Sequence, residues 1–484
     1  MTTVRRSLAY SAADSYVSAA VYLASTVVIS RLLSPEQIGV YAVAAAFAAF
    51  AATFRDFGVA EYLIQEKDLA RDKIRAALTV NIAVSWLMGL LMLAGSQPAA
   101  DFYGTPGIAE VMQLLAINFA LIPFGAVTMA YFRRQLDFRP IFFVGFAGNL
   151  THLAVAIYCA FNGFGYMSLA WASLANTFIV VAGSMLLRPA DFPIWPGLKA
   201  VREVFRFGKH ASGIYIVGQL GKSAPDVVIG RALDMASVAF FSRANGLIEI
   251  FHKTVLRAIY PVCLPYFAHS RRHNQGIACG YLKATGFLTA IGWPFFAFMA
   301  IIAPDAVRLI YGHQWTASVP LARILCLVAF FEIVHYLATE ALIAAGRVAL
   351  SNLLQFMLQS LRVVGLLAVI PFGLPGACWG LVLAAGSGLL LAQVMLKHAI
   401  DLQWSDIIKE CLPNLAITAA TSLSTGLTYY LFGLVSVDEY LFRLMVGCLV
   451  FCLIWLLAVR KLAPSLWQEI NTLANRLFPF LRRH

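Results

Sequence analysis

Between Lys222 and Arg257 the chain carries Lys222, Asp226, Arg231, Arg243, Glu249, Lys253 and Arg257 in largely apolar sequence. Read as two membrane helices, this stretch places most of them at bilayer depth, where each costs roughly 2.5–3.5 kcal/mol on the insertion scale. Such an expense persists only where the charge faces protein or a water-filled cavity. At about 100° per residue, Arg243, Lys253 and Arg257 fall within an arc of about 80° of one helix, with Glu249 at its edge. Lys222 and Asp226 lie one turn apart on the preceding helix, close enough to pair. Bases outnumber acids here, so the pattern predicts a basic cavity between helices that accepts an anionic, lipid-linked substrate. The competing reading is a set of internal ion pairs that hold helices together.

Other polar side chains sit in equally apolar surroundings. Asn352, Gln355, Gln359 and Arg362 form a stripe about 80° wide along one helix, suited to hydrogen bonding either to a ligand or to a neighbouring helix. Arg55 lies beside Asp56 near a helix end, where an intrahelical or capping role competes with ligand contact. The acids Asp14, Asp56, Asp226, Glu249, Glu332 and Glu340 are candidates for coupling to an ion gradient. Asp226 and Glu249 are read first as partners of Lys222 and Lys253. Glu332 and His335, one turn apart, have no base at helical spacing, which leaves a proton-binding role open. His252 lies opposite the basic arc and reads as a packing residue, whereas Arg323 and Arg443 lie near helix ends and read as snorkelling. Pro225, with Gly213, Gly218 and Gly221 on the same helix, supplies hinge points.

The elements that must position these groups follow from composition. Of 484 residues, 61% are hydrophobic and only 12% charged, against about 25% charged in soluble domains. Apolar runs of 18 or more residues recur, which indicates an all-α polytopic membrane protein rather than a barrel of short alternating strands. Fourteen spans are predicted, at about 8–30, 39–62, 76–95, 108–132, 140–161, 165–187, 207–230, 236–267, 281–303, 321–345, 351–370, 374–396, 411–433 and 439–460. Arg5 and Arg6 precede the first run, which is longer than a signal-peptide core and reads as a retained helix. With the N-terminus inside, 25 of the 36 Lys and Arg fall in cytoplasmic segments and three in outer loops, a strong positive-inside bias that also puts the C-terminus inside. The net charge of +12 therefore needs no nucleic acid. The eight cysteines show neither Cys-x-x-Cys nor zinc spacing, and no metal, cofactor or catalytic residue is predicted.

Residues 27–44 (VVISRLLSPEQIGVYAVA) and 227–244 (VVIGRALDMASVAFFSRA) align without gaps. An offset of six spans preserves orientation, so the repeat predicts two parallel six-helix lobes with the cavity between them. The expected layout is an N-lobe at 1–187, a cytoplasmic linker at 188–206, a C-lobe at 207–400, appended spans at 401–461 and an amphipathic surface tail at 462–484.

The run RLLSPEQIGVYAVAAAFAAFAATFRDFGVAEYLIQ (31–65) resembles the opening signature of bacterial polysaccharide flippases. These are the Wzx-type members of the multidrug/oligosaccharidyl-lipid/polysaccharide exporter superfamily. The matching residues are Leu32, Leu33, Ser34, Pro35, Glu36, Gly39, Tyr41, Asp56, Gly58, Leu63, Ile64 and Gln65; Asp234-Met235-Ala236 departs from the Ser-Pro-Glu turn in the second copy. The resemblance implies alternating-access transfer of a polyprenyl-diphosphate-linked oligosaccharide from the inner to the outer leaflet of the plasma membrane, serving O-antigen, capsule or exopolysaccharide synthesis. Its partners would be that glycan, the bilayer and polysaccharide polymerase or assembly proteins.

Under this reading Lys222, Arg243, Lys253 and Arg257, then Arg55 and Arg362, meet the diphosphate, because guanidinium forks and ammonium charges suit phosphate oxygens. Asn352, Gln355 and Gln359 would meet sugar hydroxyls. A drug/cation antiporter of the same superfamily would favour an acidic cavity, and a peptidoglycan-precursor flippase is a neighbouring alternative. A membrane-bound glycan polymerase or ligase is less consistent, since no large outer loop or Asp-x-Asp domain is present. An ATP-driven pump would need a phosphate-binding loop that the chain lacks.

Overall fold

The computed structural model describes the chain except for the backbone at 1, 57, 191, 194, 212, 257–258, 260–262, 268–275, 436–438 and 478–484. The side chains at 2–9, 11–12, 56, 208–211, 213–217 and 473–477 also lie outside the description. Among the described residues there is no strand. In chain order the helices are α1 (Thr2–Leu32), α2 (Pro35–Asp56), α3 (Val59–Gln65), α4 (Arg71–Tyr103), α5 (Gly107–Arg134), α6 (Phe138–Phe161), α7 (Met167–Leu186), α8 (Val201–Ala211), α9 (Gly213–Ala232) and α10 (Met235–Phe251). They continue as α11 (Ile277–Ile310), α12 (Ser318–His335), α13 (Ala338–Ala344), α14 (Val348–Val369), α15 (Gly373–Ile400), α16 (Trp404–Leu434), α17 (Tyr440–Leu462) and α18 (Pro464–Leu477). Ten stretches among the described residues are long and apolar enough to cross a membrane, the longest of which, Val348–Ile400, joins α14 and α15. The protein is a multi-pass membrane protein. By internal contacts it divides into two compact units, 1–239 and 240–484.

In the first unit α4 packs on α5, α6 on α1 and α7, and α9 on α2. The repeat detected in sequence recurs in the side-chain capping of the turns before α2 and α10. Ser34 Oγ accepts from the Gln37 amide at 3.3 Å while Gln37 Oε1 accepts from the Ser34 amide at 3.1 Å, a reciprocal capping box. Two hundred residues later Asp234 Oδ1 accepts from the Ser237 amide at 2.7 Å. The backbone bonds Leu33→Ile29 (3.0 Å) and Leu233→Ile229 (2.9 Å) correspond in the same way. Asp234 thus performs the capping that Ser34 performs, which explains why the Ser-Pro-Glu turn is dispensable in the second copy.

The Asp-x-Gly step ends α2. Gly58 takes a left-handed φ of 63°, a region that costs other residues a steric clash and glycine none. The short α3 that follows is held at its end by Arg134, whose guanidinium donates to the carbonyls of Leu63 (2.8 Å), Ile64 (3.4 Å), Glu66 and Lys67 (3.3 Å). The first two are carbonyls that a helix end leaves without partners. The segment expected as a linker is tied to the same place. Arg75 donates to the carbonyls of Trp195 and Pro196, and the Gly197 amide donates to Thr79 Oγ1 at 2.9 Å. From residue 201 the linker is helical, because Val204 is fully buried against Tyr62, Leu63 and Ile74. Lys73 bridges Glu66 at 2.9 Å, and its ammonium holds the Glu66 carboxyl below the usual carboxylate range. That tie is complete above the ordinary carboxylate pKa and is lost as pH falls through the lowered one.

Arg134→Ala should leave the α3 carbonyls without these bonds and lower stability by roughly 1.5–3 kcal/mol. A thermal-unfolding series in detergent reads this directly, and an unchanged midpoint would show that water replaces the guanidinium.

In the second unit α11 packs against α12, α16 and α17, and α15 packs against α12 and α14. Gly365 of α14 and Gly380 of α15 meet backbone to backbone, each occupying the space where the other's side chain would begin. Arg443 does not snorkel as its position near a helix end suggested. Its Nη2 lies 3.0 Å from Asp305 Oδ2 in α11. The tail helix α18 is not purely surface-lying either, since Leu466 is buried with Ala290, Ile417 and Val459.

Candidate functional site

On α9, Lys222 is exposed and Asp226 half-buried. Among the described residues no hydrogen bond or ion pair joins the two, so the expected i,i+4 pairing is not made. The helix instead orders its polar side chains through Gln219 Nε2, which donates to Ser223 Oγ at 3.0 Å. Pro225 lies within the helix as expected. Tyr103 of α4 donates its hydroxyl to the Val227 carbonyl at 3.0 Å, fastening the outgoing half of α9. Arg231 lies over the Phe102 ring at 4.9 Å.

On α10, Arg243 is half-buried with its guanidinium 5.5 Å from the Tyr311 ring and 5.3 Å from the Trp315 ring. Trp315 is fully buried in the 3-10 turn after α11 and packs edge-on against Phe240. The Ser318 hydroxyl donates to the Phe240 carbonyl at 2.9 Å and fixes that turn to the start of the unit. The cation therefore stands on an aromatic wall, an arrangement worth about 0.5–2 kcal/mol, more when water is excluded.

Beyond Phe251 the helix changes character: His252–Leu256 form a π turn. Each residue of such a turn advances through a smaller angle than in an α-helix, so the constant step that gathers Arg243, Lys253 and Arg257 on one arc does not hold past residue 251. Lys253 is exposed on this turn, and Arg257 lies outside the described residues. Glu249 approaches His252, Oε1 to Nδ1 at 3.5 Å, and the His252 ring stacks on Tyr336 at 6.3 Å. His252 is thus a partner of the acid as well as a packing residue.

The stripe on α14 divides. Asn352 is exposed. Gln355 Nε2 donates to Thr339 Oγ1 at 2.8 Å, and Arg362 Nη1 lies 3.8 Å from Glu332 Oε1. Both side chains bond a neighbouring helix, while Gln359 is half-buried between them. Glu332 accordingly has a base after all, supplied by another helix rather than by its own. His335 is buried, with Nδ1 3.2 Å from the Phe331 carbonyl. Glu340 is buried nearby in sequence on α13. Among the described residues no group of His, Cys, Asp and Glu is arranged to hold a metal ion. Arg55 of α2 lies over Phe119 of α5 at 5.7 Å. The Asp56 side chain lies outside the described residues.

Residues 28–320 match the family described as polysaccharide biosynthesis protein. The chain belongs to that family. Among its relatives, the teichuronic acid biosynthesis protein TuaB of Bacillus subtilis is 22% identical over 388 residues, 77% of this chain and 78% of TuaB. The lipopolysaccharide biosynthesis protein WzxC of Escherichia coli is 21% identical over 334 residues, covering 68% and 67% of the two chains. The fold matches that of the lipid II flippase MurJ in an inward closed conformation. The TM-score is 0.73 at 12% identity, over 94% of this chain and all of that one. An inward-facing multidrug resistance MATE family transporter of the MOP superfamily gives a TM-score of 0.60 at 13% identity over 82% of this chain and 94% of the other. The fold is thus one shared with a flippase and with a multidrug transporter. The short motif at 34–58 carries two structural duties in this chain, the capping box at Ser34 and the left-handed step at Gly58.

Proposed function

We propose that this protein is a flippase that carries a polyprenyl-diphosphate-linked oligosaccharide from the cytoplasmic to the outer leaflet of a bacterial plasma membrane by alternating access. The product would feed O-antigen, capsule or exopolysaccharide synthesis. The observation that supports this most is the exposure of Lys222 on α9 and of Lys253 on the π turn after α10, in sequence read here as membrane-spanning, with Arg243 held on aromatic rings. A diphosphate cannot enter hydrocarbon without cations to meet it, and these residues offer both point charges and a guanidinium fork. Arg257 and Arg55 join them in this reading, while Arg362 is assigned to its pairing with Glu332. Asn352 and Gln359 are the sugar-contacting candidates, since Gln355 bonds Thr339.

The six-span lobes at 1–187 and 207–400, the appended spans at 401–461 and cytoplasmic termini belong to the same proposal. So does the absence of a catalytic step, and so do polymerase or assembly partners. For coupling, Glu332 is the preferred group: a proton on its carboxyl would release Arg362, and His335 lies one turn away. Asp56, Asp226 and Glu249 stand behind it.

The test is surface polymer in a strain lacking its own exporter. Lys222→Ala, Arg243→Ala, Lys253→Ala and Arg257→Ala should each lower export on the order of tenfold or more, the loss expected for a charge-assisted bond, with normal insertion. Arg243→Lys and Arg257→Lys should keep part of the activity. Parental export from all four alanine variants would end the reading, and lysine variants as poor as alanine would assign the effect to fork geometry and ring packing rather than charge.

A further inference from the structure

Within the first unit, α2, α4 and α5 surround a cavity of about 390 Å³, inside the roughly 300–1,000 Å³ range of ligand sites. Its lining is wholly apolar and soft, with Phe47, Phe50 and Phe54 on α2 facing Met88, Met92 and Met112. An apolar pocket of this size accepts hydrocarbon. Phe50 and Phe54 stand edge to face at 5.0 Å, which presents ring faces and edges rather than a flat wall. Unbranched thioethers opposite can repack around an irregular chain.

A cation follows the lining residues along α2. Arg55 follows the lining residue Ala51 by one helical turn and therefore shares its face. Its guanidinium lies over Phe119, whose Cβ is packed against Gly89, next to the lining Met88. An apolar pocket with a guanidinium carried one helical turn beyond its lining complements an amphiphile with an anionic head and a hydrocarbon tail.

We propose that this cavity holds the head-proximal aliphatic stretch of the prenyl carrier, with Arg55 meeting its phosphate. The assignment rests on the flippase reading above and names the part of the substrate that the first unit grips.

Gly95 provides the test, because it lines the cavity and a Cβ there would meet nothing within 4 Å. Gly95→Phe fills the chamber without colliding with the backbone, and Gly95→Ala is the matched control. The full chain is reconstituted in phosphatidylglycerol and phosphatidylethanolamine vesicles containing a long-chain polyprenyl phosphate. A benzophenone amino acid replaces Leu91, which also lines the cavity and is half exposed, and adducts are identified by mass. A prenyl adduct is expected, lowered on the order of tenfold by Gly95→Phe, as loss of buried aliphatic contact predicts, and unchanged by Gly95→Ala. Adducts of phospholipid acyl chains alone, or prenyl labelling indifferent to Gly95→Phe, would overturn the assignment. Surface polymer is measured in parallel. Export that persists without prenyl adducts removes the cavity assignment and leaves the flippase reading standing, whereas prenyl adducts in a protein that exports nothing remove the flippase reading alone.

Discussion

Arg443→Ala is expected to destabilise the second unit by about 3–5 kcal/mol, the cost of leaving a buried charge without its partner. Asp305 is only 4% exposed within α11, and Arg443 from α17 reaches it at 3.0 Å. The same guanidinium lies 5.3 Å from the Tyr429 ring of α16, so one side chain joins three helices. Removing it strands the carboxylate and takes away the cation over that ring. For a unit of this size the loss corresponds to a fall in unfolding midpoint on the order of 10 °C. The double variant Asp305→Asn with Arg443→Met should recover much of the loss, because replacing both members of a buried pair leaves no orphan charge. Thermal unfolding of the three proteins in one detergent decides the matter. If the double variant falls as far as Arg443→Ala, the guanidinium acts through its packing on Tyr429 and not through Asp305.

Local information in the chain carried some of these features and not others. Helix positions follow from apolar runs, and the repeat at offset 200 was visible because capping chemistry needs only a short polar side chain at a fixed place. Ser34 and Asp234 satisfy that need with different residues, so identity weakened where function in the turn did not. The π turn at His252–Leu256 has no comparable signature, and a constant helical step carried across it put Lys253 on an arc that the backbone does not sustain. Charge pairing failed in sequence for a different reason. Helical spacing finds partners on one helix, as with the Lys222–Asp226 pair that is not formed. The partners actually used by Glu332 and Asp305 are Arg362 and Arg443, which only packing between helices brings near. The same blindness hid the cavity of the first unit, since Phe47, Met88 and Met112 read individually as ordinary apolar helix residues.

Gly39→Ala should be the most disruptive single-atom-scale change in the first unit. A Cβ at this position would overlap the backbone carbonyl of Met235, at the start of α10, so no side-chain rotation can relieve it. Overpacking of this kind costs typically 1–3 kcal/mol, and more where backbone must move. The second copy of the repeat shows the contrast: Ala239 occupies the corresponding place, carries a Cβ and is fully buried. The glycine of the Ser-Pro-Glu-x-x-Gly signature is therefore required by the close approach of two helix starts and not by backbone torsion. Gly39→Val should be worse than Gly39→Ala, and adding Met235→Ala should rescue neither, because the obstacle is main chain. Unfolding midpoints and surface polymer together test this. Rescue by Met235→Ala would move the obstacle to the methionine side chain, and parental stability in Gly39→Ala would show that the two turns can separate at no cost.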